Sequence, residues 1–520
     1  MKRRSTPCPS CGAPVEFHLG AAMVTVCEFC STAVGRGDKA VEDYGKVADL
    51  IQTNSPIHLG TTGRFRGKPF EVIGRVQYAH AAGGFWDEWY LRLPGERVGW
   101  LAEAQGKLAF LFERPARRKS PFPDQPSLRP GGRVKLGKNE LTVTETGVAT
   151  ARSAAGEIPW DFRPGAEHRY ADLQGTPPWV ATLEYRDDDV HCYVGQNVAL
   201  DDLHLSKPDW QGGDEDVIQV AAVKLSCPHC GGPLELHAPD ETLRVGCPHC
   251  SSLLDASHGK LQLFQTLEPR ELHPYIPLGA TGALFGQQYT AVGYMERFAT
   301  WQGRTFPWTE YLLYSPNVGY RWLVCNDRHW SFVETISPHE VNVFYDHVIY
   351  KKKKYRVYDR GTATVRAVIG EFYWKVTKGE TVQTGDYIAP PEMISIERSA
   401  SSSVDERNVS LGRYVELEVI REAFGLRDYL KPWGIGVIQP APKFPRGLWI
   451  SWLAFAVCLF LIHWIGSAST SVGQTAPDGW MLFYAILFVS VIPAGILAYK
   501  YSFEVNRWKD SDYSPYASDD

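Results

Sequence analysis

The chain has 520 residues, and its 44% hydrophobic and 22% charged residues are typical of a globular protein, which excludes a disordered or collagen-like chain. The net charge of −5 argues against a general nucleic-acid coat, because such a protein needs a basic surface. At roughly 100–200 residues per domain, the length allows three or four folded units.

The first predicted element, residues 1–36, contains two Cys-x2-Cys pairs, and residues 225–256 repeat this arrangement. The two pairs are separated by 15 residues in the first element and by 16 in the second. The eight cysteines are Cys8, Cys11, Cys27, Cys30, Cys227, Cys230, Cys247 and Cys250. This spacing is typical of zinc ribbons, in which two tight turns bring four thiolates around one Zn²⁺. We therefore predict two structural zinc sites, each closed by four cysteines.

Disulfides and redox-active Cys-x-x-Cys pairs are the alternatives to zinc. Disulfides are typical of exported proteins, whereas the segment that begins MKRRSTPCPSCG lacks the apolar stretch of a signal peptide. A redox pair needs no second pair at ribbon distance. Both observations favour zinc.

Residues 56–205 predict a β domain, because short apolar runs alternate with Gly, Pro and Asp turns. The pattern returns at residues 270–430, after a linker at 206–224 and the second ribbon, and it ends in one short helix before Gly425. The predicted fold class is mainly β: a tandem duplication of a zinc ribbon plus a small antiparallel β barrel or sandwich, followed by two transmembrane helices.

Both copies retain Trp and Glu residues at matching positions, which makes these residues candidates for a ligand or partner site. The matching pairs are Trp86/Trp308, Glu88/Glu310 and Glu157/Glu371. A structural role is the other interpretation, because tryptophans are ordinary core residues and a buried carboxylate can accept a backbone N–H. The sequence leaves both interpretations open.

The repeated motifs, namely G-x-x-[FY]-x-V-x-G, W-x-E-[WY], W-L, G-E-x-x-W and a Pro-Pro element, resemble the bacterial "domain of unknown function 4178" family. The resemblance occurs twice, and each copy follows a four-cysteine ribbon. It implies a β-rich domain with no activity assigned to its residues. The first copy departs further from the pattern, so a function of one copy need not persist in the other.

A Pro-rich linker at residues 431–447 leads to two apolar stretches, at 448–466 and 480–499, that contain no Asp, Glu, Lys or Arg. At 1.5 Å per residue, each stretch spans roughly 30 Å, the thickness of the hydrocarbon core of a bilayer. We therefore predict two transmembrane helices and a cytoplasmic tail at 500–520. Two buried helices of a soluble core are the alternative.

Basic residues predict the orientation of these helices. Lys443 and Arg446 precede the first, Lys500 and Arg507 follow the second, and the loop between the helices has no Lys or Arg. Because cytoplasmic flanks carry an excess of Lys and Arg, both termini should lie in the cytoplasm. The expected location is the bacterial inner (cytoplasmic) membrane, crossed twice.

No catalytic motif occurs in the sequence, and a zinc ion held by four cysteines offers no open position to water, so we do not expect an enzyme. We also expect no nucleic-acid binding, because residues 7–34 contain no Lys or Arg to contact phosphates. The expected function is a membrane-anchored, cytoplasm-facing scaffold with protein partners at the inner membrane, and further copies of itself are an additional candidate partner. An unrecognised enzyme or a small-ligand-binding protein that uses the Trp and Glu sites is the alternative. Nucleic-acid binding through the ribbons is less favoured.

Overall fold

The computed structural model of the protein describes residues 4–17, 22–36, 41–48, 50, 55–81, 84–95, 97–104, 107–115, 122–186, 189–206, 223–238, 242–256, 261–265, 272–301, 303–316, 318–400, 404–426, 431–468 and 479–516. Most of the predicted linker at 206–224 lies outside the described residues. So does most of the loop between the two predicted transmembrane helices.

The first four-cysteine segment forms a small ribbon of short antiparallel strands. Its strands are β1 (Arg4–Pro7), β2 (Pro14–Phe17), β3 (Val24–Val26), β4 (Thr32–Arg36) and β5 (Val41–Lys46). β1 pairs with β2, and β4 pairs with both β3 and β5. The turn after Cys11 has Gly12 at φ 78°, a left-handed conformation that glycine adopts without a Cβ clash.

The first β domain is a closed antiparallel barrel. Its strands are β6 (Thr62–Phe65), β7 (Lys68–His80), β8 (Phe85–Leu93), β9 (Arg97–Ala104), β10 (Lys107–Glu113), β11 (Arg133–Leu136), β12 (Asn139–Ile158), β13 (Glu167–Gln174), β14 (Trp179–Arg186) and β15 (Asp189–Val198). Eight of them pair in the order β7-β8-β9-β10-β15-β14-β13-β12, and β12 pairs with β7 to close the ring. The short strands β6 and β11 extend β7 and β12 as hairpins.

The second half of the chain repeats this architecture. The second ribbon contains β16 (Val223–Ser226), β17 (Pro233–Leu236), β18 (Arg244–Gly246), β19 (Leu253–Asp255) and β20 (Gln262–Gln265). The second domain contains β21 (Thr281–Leu284), β22 (Gln287–Trp301), β23 (Arg304–Ser315), β24 (Gly319–Asn326), β25 (His329–Thr335), β26 (Val341–Val343), β27 (His347–Tyr350), β28 (Lys353–Phe372), β29 (Thr381–Ala389), β30 (Glu392–Ala400) and β31 (Asp405–Val415).

Eight strands of the second domain also close a ring, in the order β22-β23-β24-β25-β31-β30-β29-β28 and back to β22. A closed ring leaves no unpaired sheet edge along its wall. The mainly-β, tandemly duplicated fold predicted from the sequence is therefore confirmed.

Strand pairing joins the four units. Each ribbon adds one strand to its own barrel, through β3–β12 in the first copy and β18–β28 in the second. The two barrels are joined by a short antiparallel pairing of β12 with β31, which sets Glu145 opposite Glu406 and Thr146 opposite Asp405.

The helix α1 (Leu417–Phe424) covers one wall of the second barrel. Its buried residues Leu417, Ile420 and Phe424 are spaced for one helical face, and they belong to the same apolar cluster as Tyr311 and Trp330 of the barrel. The helix ends at Gly425, whose φ of 64° is the left-handed conformation common after the last helical turn.

Two long helices complete the chain, α2 (Arg446–Ala468) and α3 (Gly479–Trp508), and both are long and apolar enough to cross a membrane. No side chain of α2 is buried, and apolar residues such as Ile450 and Ile462 are more than 60% exposed. A core helix of a soluble protein would bury these side chains, so their exposure is what lipid contact requires.

The helix α3 continues beyond the predicted span at 480–499 and packs against the second barrel. Trp508 is 5% exposed and clusters with Ile388 and Ile438. Arg507 is 2% exposed and donates from Nη2 to the carbonyl oxygen of Gln439 at 2.6 Å. The start of the predicted cytoplasmic tail is therefore helical and part of the folded body.

Candidate functional site

The structure brings the eight predicted cysteine ligands together in two clusters of four. In each cluster the Sγ atoms all lie within 4.8 Å of one another. Cys8 and Cys30 are 3.7 Å apart, and the matching pair in the second ribbon, Cys227 and Cys250, is 3.9 Å apart. These distances exceed the ~2.05 Å of a disulfide and match the ~3.8 Å edge of a tetrahedron with metal–sulfur bonds of about 2.3 Å. Each cluster could hold one metal ion.

Hydrogen bonds favour the thiolate form of one cysteine in the first cluster. The hydroxyl of Thr32 lies 3.2 Å from Sγ of Cys30, and this contact lowers the pKa of that thiol to about 6. A thiol must lose its proton to bind a metal, so the lowered pKa suits a ligand. The histidine inside the second ribbon's last turn, His249, instead lies 3.0 Å from the carbonyl oxygen of Pro233.

The candidate Glu371 lies at the joint between the second ribbon and its barrel. Its carboxylate is 2% exposed and accepts the backbone N–H groups of His237 at 2.6 Å and Ala238 at 2.9 Å. The hydroxyl of Thr242 donates to it at 2.9 Å. One carboxylate thus satisfies several buried donors of the ribbon, which is the structural interpretation of this residue.

Glu157 occupies the equivalent joint of the first copy, because it pairs with Thr25 of β3 as Glu371 pairs with Val245 of β18. A glycine precedes each glutamate. A Cβ on Gly370 would lie 2.3 Å from a backbone oxygen, and its φ is 84°. The glycine of the repeated Gly-Glu dipeptide is needed because a neighbouring backbone approaches it too closely for a Cβ. In the second copy, the glutamate that follows it accepts the hydrogen bonds of the ribbon.

The other candidates line a large cavity, here called the chamber. It has a volume of about 2070 Å³, and residues of both barrels form its wall. Trp86 and Glu88 line it in the first barrel, and Trp308 and Glu310 line it in the second. An eight-stranded barrel is wide enough to be filled by its own side chains or to hold a small ligand, and these two barrels leave space.

In the first barrel, Glu88 accepts hydrogen bonds from neutral groups. The hydroxyl of Tyr90 donates to it at 3.0 Å, and Nε1 of Trp86 lies at 3.5 Å. Burial, followed by the nearby charge of Glu184, raises the pKa of Glu88 to about 8. The guanidinium of Arg186 is directed elsewhere, to Glu184 at 3.0 Å and to the hydroxyl of Tyr193 at 2.6 Å.

In the second barrel, the equivalent Glu310 accepts from a cation. Nη1 of Arg297 lies 3.2 Å from Glu310 and 2.9 Å from Glu397, and Nε1 of Trp308 donates to Glu310 at 2.7 Å. Burial raises the pKa of Glu310, and the charge of Arg297 opposes this rise. In both barrels, Nε of the arginine is buried without a hydrogen-bond partner among the described residues.

A second acidic pair recurs in both barrels. Asp172 accepts from the hydroxyl of Thr182 at 2.7 Å, and Asp386 accepts from that of Ser395 at 2.5 Å. Burial raises the pKa of Asp172 to about 7 and that of Asp386 to about 6, with the neighbouring acid on the paired strand, Glu145 in the first barrel, as a further cause.

The sequence interpretation missed most of the acids of the chamber, and it missed Arg186 and Arg297, which pair with acids of the first and second barrel. Glu184 and Glu397 occupy equivalent positions, each two residues beyond the hydroxyl residue that pairs with the aspartate. The match of Asp172 with Asp386 is visible in the repeat, and a search for acids at fixed offsets from it would have found this pair.

Comparison with known proteins identifies the repeated domain. The family model "Domain of unknown function (DUF4178)" matches residues 58–200 and 277–417, which together are more than half of the 520 residues. No curated protein and no solved structure matched the chain. The two matched segments coincide with the two barrels, and each follows a four-cysteine ribbon. The chain therefore belongs to the DUF4178 family, with two copies of the domain.

Proposed function

We propose that the protein is a membrane-anchored scaffold that faces the cytoplasm of a bacterial cell and acts through protein–protein contacts at the inner membrane. The observation that carries this proposal is the joint between α3 and the second barrel. A scaffold must hold its binding surfaces in a fixed position, and this joint makes the folded body a rigid extension of the apolar helix.

The joint contains both polar and apolar contacts. The hydroxyl of Tyr358 donates to the carbonyl oxygen of Arg507 at 3.0 Å, and the rings of Tyr358 and Trp508 lie 5.4 Å apart. Ser511, beyond the helix, donates to the carbonyl oxygen of Tyr358. Buried aromatic and arginine side chains of this kind resist local opening, so the barrel and the helix should move together.

We propose that zinc is the metal of both ribbons and that its role is structural. Four thiolates favour Zn²⁺ among common cellular metals and leave no position for water or substrate. We also propose that the protein is not an enzyme. The exposed Phe29, 71% accessible in the second knuckle of the first ribbon, supports a role for the ribbon surface in partner contact.

The test of the scaffold uses affinity capture of the full chain from detergent-solubilised membranes. We expect a protein partner in fixed stoichiometry, retained by the wild type and lost when Phe29→Asp removes the apolar tip of the ribbon. Glu28→Asp, at the neighbouring position, is the matched control. Recovery of nucleic acid alone, or the same partner profile for all three chains, would contradict the proposal.

The chamber favours a second candidate function, the binding of a small molecule. Burying the acids beside Arg186 and Arg297 is costly, and apolar side chains would fill the space at lower cost. Both copies nevertheless retain the Trp–Glu pair and the aspartate–hydroxyl pair. A bound molecule that pairs with these groups would offset the cost.

The second candidate is tested by extraction of the purified full chain followed by mass spectrometry of the released small molecules. We expect a molecule that co-purifies with the wild type and is lost in Glu88→Gln with Glu310→Gln. The exposed Glu422→Gln is the control. An identical extract from all three chains would exclude the chamber as its binding site.

A further inference from the structure

The hairpin between β27 and β28 has two lysines in an unfavourable backbone conformation. Lys351 and Lys352 form its two-residue turn, with φ of 47° and 66°. Both angles are in the left-handed region, where Asn-Gly is the preferred pair and a side chain such as lysine is strained. Strain of this kind at an exposed turn points to a function of the side chains.

The equivalent hairpin of the first barrel lacks this feature. β11 and β12 are joined by Gly137 and Lys138, and only the glycine has a positive φ. The residues of the first turn and the start of its second strand read Gly-Lys-Asn-Glu, whereas those of the second barrel read Lys-Lys-Lys-Lys. The basic turn therefore occurs only in the barrel that is joined to the apolar helices.

Contacts between β28 and α3 show where this turn lies. Tyr358 contacts Arg507, Trp508 and the following Ser511. Lys354 and Arg356, nearer the turn, share a small cavity with Glu504 of α3. Residues of β28 that are closer to Lys352 therefore lie beside residues of α3 that are closer to the apolar segment of that helix.

The lengths of β28 and α3 allow the turn to reach the level at which the apolar segment ends. From Trp508 back to Lys500, the first charged residue after that segment, the helix rises roughly 12 Å. From Tyr358 back to Lys352, the strand spans roughly 20 Å. A hairpin that runs alongside the helix over this length brings its tip to the level of Lys500, where a bilayer surface would lie.

We propose that the Lys351–Lys352 turn is a binding site for the phosphate of an anionic phospholipid headgroup. Within the described part of the chain, neither lysine forms an ion pair, whereas Lys353 pairs with Glu392 at 2.8 Å and Lys354 lies 3.8 Å from Asp346. The two turn lysines are exposed at the tip, and their charges add to that of Lys500. The site rests on the membrane placement proposed above.

The substitution Lys351→Asn with Lys352→Gly separates lipid binding from folding. It removes both charges and installs the preferred pair for this turn, so the hairpin should gain stability. The matched control is Lys135→Gln with Lys138→Gln, which removes two exposed charges from the equivalent hairpin of the first barrel. Each full chain is purified in a neutral detergent.

Native mass spectrometry then measures the first dissociation constants for phosphatidylglycerol and phosphatidylcholine. We expect the wild type and the control to prefer phosphatidylglycerol. The turn variant should lose about 25-fold of this preference, since each basic residue at an anionic surface contributes a factor of about five. Its melting temperature should be equal to or higher than that of the wild type.

An unchanged preference in the turn variant, or an equal loss in the control, would overturn the proposal. Competition by millimolar inorganic phosphate would assign the site to free phosphate and would also overturn it. Membrane fractionation tests the anchor separately: a chain found in the aqueous fraction contradicts the membrane placement, whereas a membrane-bound chain without lipid preference contradicts the headgroup site alone.

Discussion

The two barrels keep the same acids in the chamber but supply the arginine from different strands. In the first barrel, Arg186 lies on β14, two residues after Glu184. In the second barrel, Arg297 lies on β22, opposite Trp308, at the position that Tyr78 occupies in the first barrel. The acid positions are thus retained while the cation has moved across the barrel.

This difference changes the charges that surround one acid. Glu310 lies 3.2 Å from Arg297, whereas Glu88 is bonded to Tyr90 and Trp86. Burial raises the pKa of both acids, to about 8 for Glu88, and the charge of Arg297 opposes the rise for Glu310. Glu88 has no cation in hydrogen-bond contact among the described residues and holds its proton near neutral pH, whereas the cation beside Glu310 favours the ionised form of that acid.

Removal of the metal from both ribbons should give the largest effect on stability. Cys8→Ser with Cys227→Ser should lose bound zinc and unfold both ribbons, since structural zinc contributes roughly 10–16 kcal/mol of folding free energy. The apolar helices should still insert. Metal analysis and membrane fractionation check this, and two zinc ions per chain in the variant would show that the ligand assignment is wrong.

A single substitution in the second ribbon tests how strongly that ribbon supports its barrel. Cys247→Ser should unfold the second ribbon and should also weaken its barrel, because Glu371 would lose the buried donors of His237, Ala238 and Thr242. Hydrogen exchange of β28 measures this effect. Protection of β28 that equals the wild type would contradict it.

Loss of Arg297 should give the next largest effect. Arg297→Met leaves the buried Glu310 without its cation, which should cost about 3 kcal/mol at pH 8. The loss should be smaller at pH 6, because an unpaired Glu310 can then take up a proton. Chemical denaturation at both pH values measures this, and Arg297→Met with Glu310→Gln should recover part of the loss. A loss that is equal at both pH values would contradict the mechanism.

The smallest predicted effect is measured between pH 6.5 and 8, and it differs in size between the two barrels. Because the folded pKa of Glu88 is raised from its usual 4.5 to about 8, its stability contribution is full below pH 4.5 and is lost as the pH rises through 8. The loss is at most about 1.4 kcal/mol per pH unit. Glu88→Gln should therefore raise the melting temperature at pH 8 and flatten its fall between pH 6.5 and 8.

Glu310→Gln, the matched change in the second barrel, should raise the melting temperature less than Glu88→Gln does, because the charge of Arg297 opposes the rise in the pKa of Glu310 and the substitution removes one of the two carboxylates beside Arg297. Bound zinc is measured in parallel, since thiol protonation at lower pH would act in the opposite direction. An equal or larger rise in melting temperature for Glu310→Gln would show that the moved arginine does not control these acids.

Local patterns allowed the sequence to predict much of the fold. The cysteine clusters, the repeat and the short helix that ends at Gly425 each depend on residues that are close in sequence or related by one constant offset. Glu88 and Glu310 were found in the same way, and both line the chamber. Glu157 and Glu371 had the same signal but lie at the ribbon joints.

The rest of the chamber could not be predicted, because a closed barrel joins strands that are distant in sequence. Glu184 approaches Glu88 only after the ring has closed, and Arg297 meets Glu397 across 100 residues. The two arginines do not match in the repeat, so the internal comparison that found the acids could not find them. Each barrel thus has an arginine beside its buried acids, but the two arginines occupy different positions in the repeat.

The continuity of α3 has a mechanical consequence. A helix whose apolar length exceeds the local bilayer thickness tilts to shorten its span. Trp508 and Arg507 fix the end of this helix against the second barrel. When the helix tilts, the barrel should therefore rotate with it by the same angle. A change in lipid thickness would thereby reorient the chamber and both ribbons relative to the membrane plane.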